Sequence, residues 1–81
     1  MRLPRDVSAE TLVNLLKKFG YRVTRQSGSH IRLTTDENGE HHLTIPNHNP
    51  LKIGTLSAVL NDVASHFNKT KDEITSSLFT Q

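Results

Sequence analysis

Eighty-one residues suffice for one compact domain with a thin core, and the absence of cysteine excludes disulfide staples, thiolate metal sites and a cysteine nucleophile. The start MRLPRDVSAE lacks the apolar run of a signal peptide and no later stretch could span a bilayer, so a soluble, cytoplasmic protein without membrane contact is expected. The net charge of +2 is uneven: residues 1–35 carry seven basic against two acidic side chains (+5) and residues 36–81 three against six (−3), which permits a polyanion-facing surface on the first part.

Ser8 is a suitable N-cap for a helix whose apolar stripe is Leu12, Leu15, Leu16 and Phe19, with Lys17 and Lys18 in the last turn and Gly20 to stop it. Tyr21 to Gln26 alternates, which puts Tyr21, Val23 and Arg25 on one face and Arg22, Thr24 and Gln26 on the other. Ser27-Gly28-Ser29 reads as a turn. His30 to Thr34 alternates again with Ile31 and Leu33 inward, so His30 and Arg32 point the opposite way.

Asn38-Gly39 marks a second hairpin, and a third strand from His42 to Pro46 turns Leu43 and Ile45 inward. Asn47-His48-Asn49-Pro50 is a loop. A second helix, capped near Thr55, buries Leu56, Val59, Leu60, Val63 and Phe67. Asn68-Lys69 breaks it, and Thr70 with Glu73 forms a capping-box pattern ahead of a short final helix over residues 70–79 that carries Ile74, Leu78 and Phe79.

The order is α-β-β-β-α plus a short C-terminal helix: an α+β fold, one domain over residues 1–81, with a three-stranded antiparallel sheet and its helices on one face. The other face is then open and carries Arg22, Thr24, Gln26, His30, Arg32, His42 and Thr44. This order matches the double-stranded RNA-binding domain, a likeness of fold and not of function.

Of the five histidines, His66 reads as a helix-surface residue. His41 and His42 are adjacent in a strand and face opposite ways. No spacing of the H-E-x-x-H kind supports a metal site, and His30, His42 and His48 could share an ion only if the fold gathered them. His30 differs by its setting, after Gly28-Ser29 and near Arg25 and Arg32. An imidazole titrates near neutrality, so it can take a proton from a ribose 2′-hydroxyl or give one to a leaving 5′-oxygen. A neighbouring glycine admits a phosphodiester, and the arginines can hold it. On spacing alone, an ordinary surface histidine after a Ser-Gly turn remains the alternative.

Two segments, LVNLLKKFGYRVTRQSGSHIRL and LTIPNHNPLKIGTL, resemble the HicA family of toxin–antitoxin mRNA interferases over about residues 12–60. The first has the family's helix, Lys-Lys, Gly, strand and Gly-Ser-His; the second has its Pro-x-His loop and Lys-x-Gly-Thr-Leu helix start. The resemblance implies a dsRBD-like fold and cleavage of mRNA without a metal or other cofactor. His30 would be the catalytic residue, and Gly28, Ser29, Arg25, Arg32, His48 and Lys52 would lie against the RNA, Lys52 at a helix N-terminus suited to phosphate. It further implies a HicB-like antitoxin that covers the active face. The chain departs from the family in Asn49-Pro50-Leu51-Lys52-Ile53, where glycine and two lysines are usual, in a second helix poor in basic residues that carries Asp62, and in the final helix. A module that binds RNA with little catalysis, or a domain that only binds the antitoxin, are the alternatives.

Overall fold

The computed structural model describes residues 3–79 and has three helices over one face of a three-stranded sheet, as the hydrophobic periods require. Helix α1 spans Ala9–Leu16. The Ser8 hydroxyl accepts the Thr11 N–H at 3.0 Å, which satisfies one of the donors left open at a helix start. A 3-10 turn over Lys17–Phe19 tightens its end. Gly20 follows at φ +81°, and a Cβ there would lie 2.3 Å from the Glu37 carboxylate and 2.8 Å from the Thr35 hydroxyl, so backbone and space both demand glycine.

Strands β1 (Arg22–Ser27), β2 (His30–Thr35) and β3 (His41–Pro46) follow as two successive antiparallel hairpins, ordered β1-β2-β3. The first hairpin turns on two residues, with Gly28 at φ +55°, as a Gly-first turn requires. In the second, Asn38 and Gly39 both have positive φ. Inward, Ile31 pairs with Ile45, Leu33 with Leu43 and Thr35 with His41; outward, His30 pairs with Pro46, Arg32 with Thr44 and Thr34 with His42.

The register between β1 and β2 shifts between Val23 and Arg25, and this bulge corrects the alternation expected for β1. Val23 still pairs with Leu33 on the inner face, but Arg25 pairs with Arg32 and Gln26 with Ile31. The extra residue therefore turns Arg25 to the open face and Gln26 away from it, opposite to their expected placement. Thr24 stays outward, its hydroxyl 2.8 Å from that of Thr34.

Helix α2, Ile53–His66, begins two residues before the expected cap: Lys52 is the N-cap with no side-chain hydrogen bond, and Thr55 lies within the first turn. Leu56, Val59, Leu60, Val63 and Ala64 form its buried stripe. Asn68 at φ +56° ends the chain's helical run, and α3 (Lys71–Phe79) opens with the reciprocal capping box, Thr70 N–H to Glu73 at 2.9 Å and Glu73 N–H to the Thr70 hydroxyl at 3.1 Å. The core unites Leu12 and Leu16 of α1, Ile31, Leu33, Leu43 and Ile45 of the sheet, Leu56, Leu60 and Val63 of α2, and Ile74 and Leu78 of α3. Each such aliphatic side chain contributes about 1.5–3 kcal/mol when buried. No helix among the described residues is long and apolar enough to cross a membrane.

Candidate nucleic-acid interface

Gly28-Ser29 lifts His30 to the first position of β2, on the open face. The imidazole is exposed and has no hydrogen bond or ion pair among the described residues. Arg32, the next outward residue of β2, is about 6–7 Å along the strand by its rise, and the bulge sets Arg25 directly across from it. Neither arginine is paired with a carboxylate among the described residues. A Cβ at Gly28 would meet nothing within 4 Å, so the ground over the turn is clear.

The loop after β3 is clipped to this corner. The Asn47 N–H donates to the Ser29 carbonyl at 2.6 Å, and the His48 carbonyl accepts the Ala9 N–H at 2.9 Å. His48 is exposed in the loop whose Asn47 N–H is bound to Ser29, while Lys52 is exposed at the start of α2. The uncapped N–H groups of Ile53, Gly54 and Thr55 give that start a partial positive charge. His30, Arg25, Arg32, Gly28, Ser29 and the His48 loop thus share one corner of the sheet. Lys52 stands farther along the chain and is not tied to them by any contact.

The opposite end of the open face is closed on itself. Arg22 pairs with Asp36 at 3.3 Å. The Thr24, Thr34 and His42 side chains form a line of 2.8 Å hydrogen bonds that ends on Glu40, also at 2.8 Å from His42 Nε2. His42 stands four residues along the ladder from the His30–Pro46 pair, so His30, His42 and His48 are not gathered. Among the described residues no three His, Asp or Glu side chains form a metal-binding group.

On the inner side the remaining histidines are structural, which corrects the reading of His66 as a plain surface residue. Its Nε2 lies 2.9 Å from the carbonyls of both Glu37 and Gly39 and donates to them, and its ring stacks on His41 at 4.4 Å. His41 Nδ1 in turn meets the Tyr21 hydroxyl at 2.7 Å. Tyr21 is 2 % exposed, which leaves no ring face for a base. Burial, and secondarily the Asp62 charge, pushes its phenol above the ordinary range, so it stays protonated against His41. Lys18 is also engaged, on the Ser77 carbonyl of α3 at 2.5 Å.

Two clefts are lined by other residues than His30. One of about 370 Å³ opens between β3 and α2 along Thr44, Gly54, Thr55 and Asp62, and one of about 220 Å³ is lined by Val13, Val23, Gln26, Ile31 and Asn47. Neither cleft is lined by His30, Arg25, Arg32 or His48, which stand exposed on the surface. The missed residues are Thr34 and Glu40, which hold His42; pairing across the Asn-Gly turn was the signal that could have placed them.

A model of one protein family, described as the HicA toxin of bacterial toxin-antitoxin, matches residues 9–64. That span takes in every element from α1 through most of α2 and leaves α3 outside it. No curated protein and no solved structure matches the chain.

Proposed function

The chain belongs to the HicA toxin family of bacterial toxin–antitoxin systems, and from that premise we propose that it is a metal-independent endoribonuclease that cleaves mRNA through His30. The observation that carries this reading is the exposed imidazole of His30, unbonded among the described residues, on a face where two arginines also lack acidic partners among them. A buried or bonded imidazole is committed to the fold; this one is free to exchange a proton with a ligand.

RNA crosses the open face with its phosphate between Arg25 and Arg32. Neutral His30 takes the proton of the 2′-hydroxyl, whose oxygen attacks the adjacent phosphorus as the bond to the 5′-oxygen breaks. The leaving oxygen takes a proton, from the imidazolium or from water, and the products are a 2′,3′-cyclic phosphate and a 5′-hydroxyl. The guanidinium groups stabilise the charge that builds on the phosphoryl oxygens. Gly28 and Ser29 leave room for the backbone, His48 contacts the flanking strand, and Lys52 with the start of α2 takes a further phosphate. An antitoxin of the HicB type would silence the protein by covering this corner.

The test is cleavage of RNA in EDTA by the protein and by its His30→Ala variant. We expect at least about 100-fold loss in the variant, the lower end of what one acid–base group supplies. Equal cleavage by both, or none by either, overturns the mechanism. Salt-sensitive RNA retention without cleavage selects a binding module instead. A tight complex with an antitoxin and no RNA retention at low salt selects a protein-interaction domain.

A further inference from the structure

His42 stands on the same open face as His30 but in a different condition. Its ring is 39 % exposed, yet both nitrogens are occupied, Nδ1 by the Thr34 hydroxyl and Nε2 by the Glu40 carboxylate. The hydrogen bonds are continuous: the Thr24 and Thr34 hydroxyls meet at 2.8 Å, the Thr34 hydroxyl meets Nδ1 at 2.8 Å, and Nε2 meets the Glu40 carboxylate, which accepts, at 2.8 Å. The line reaches across all three strands of the sheet. With both nitrogens engaged inside the molecule, the part of this side chain open to a ligand is its ring.

The ladder fixes the distance. Thr34 and His42 pair four residues from His30 and Pro46, which at the usual strand rise is about 13 Å. That is too far for both imidazoles to act on one phosphodiester, so a strand laid from His30 toward His42 meets the second ring with a neighbouring nucleotide. Arg32 lies between them on the same face. Of the acidic groups at that end, Asp36 is paired with Arg22 and Glu40 is bonded to His42.

We propose that His42 is a base-stacking platform, held by Thr34 and Glu40, that recognises an unstacked base of single-stranded RNA flanking the nucleotide at His30. The proposal rests on the nuclease reading for its direction along the face, and it names the substrate class of that site: single strands, whose bases are free to leave the stack, rather than duplexes read by shape. His42 acts by binding and takes no part in proton transfer.

Binding is measured by anisotropy with a fluorescein-labelled single-stranded RNA in the His30→Ala background, so that turnover does not interfere. His42→Gln keeps polar groups for Thr34 and Glu40 but has no ring, and it should bind about tenfold more weakly, the lower part of the range for one stacked base. His42→Phe keeps a ring without the nitrogens and should retain most of the affinity. The loss in His42→Gln should vanish when the flanking base is replaced by an abasic site, and a duplex of the same sequence should compete poorly. Unchanged binding by His42→Gln, an equal loss in His42→Phe, or equal competition by the duplex overturns the proposal. So does failure of the parent protein to bind the RNA. Because binding is read apart from cleavage, absence of cleavage in the EDTA assay defeats only the nuclease mechanism, and an inert His42 alongside His30-dependent cleavage defeats only the platform.

Discussion

Two ends of one small sheet treat the same side chain in opposite ways. At the Tyr21 end, His41 and His66 stack at 4.4 Å, His41 meets the Tyr21 hydroxyl, and His66 grips two carbonyls of the β2–β3 turn. At the other end, His30 is exposed without a partner among the described residues, beside arginines in the same state. An imidazole whose hydrogen bonds are met inside the molecule adds to stability, whereas one left unmet is available to a ligand. The contrast separates residues of a single type by their surroundings, without any appeal to their order in the chain.

The sharpest way to break this comparison is to remove one histidine from each end. His30→Ala should abolish RNA cleavage by two orders of magnitude or more while shifting stability by no more than about 0.5 kcal/mol. His66→Ala should do the reverse. It leaves the Glu37 and Gly39 carbonyls without their donor and should cost about 1–2 kcal/mol, read by urea unfolding, with the cleavage rate of the folded protein unchanged. If both variants lose activity and stability together, the two ends are not separate.

Smaller effects sharpen the same division. Tyr21→Phe removes the bond to His41 and should cost about 1 kcal/mol near neutral pH. The raised phenol adds a pH signature: the unfolded chain ionises its single tyrosine near its ordinary value of about 10, while the folded phenol stays neutral beyond it. That stability is fully present below the ordinary value and is lost as pH rises toward the folded one. Stability, read by urea unfolding above pH 10, should therefore fall more steeply with pH in the parent than in Tyr21→Phe. Smallest of all, Arg25→Ala should weaken RNA binding evenly across sequences and reduce the salt slope by about one, with no change in melting temperature.

Much of the fold was legible because local chemistry specifies it. Ser8 caps α1, Thr70 and Glu73 cap α3 reciprocally, Gly20 takes the left-handed position, and the alternation of β2 and β3 assigns their faces without error. Bonds between distant residues were not legible. His66 reaches carbonyls 27 and 29 residues away, and Tyr21 and His41 are 20 apart. The start of α2 was missed because Lys52 holds that position by backbone conformation alone, with no capping side chain to announce it. The bulge in β1 was missed because nothing in Val-Thr-Arg-Gln marks a surplus residue on an outer strand. Arg25 was nevertheless singled out for its nearness to His30, and the bulge turns it to the face where such a role has meaning.

That bulge has an effect beyond one arginine. An outer strand offers a regular row of N–H and C=O groups on which a second chain can extend the sheet, and β1 is exposed along its whole length. A surplus residue halfway along spoils the spacing of that row, which makes this rim a poorer template for an added strand than a regular edge would be.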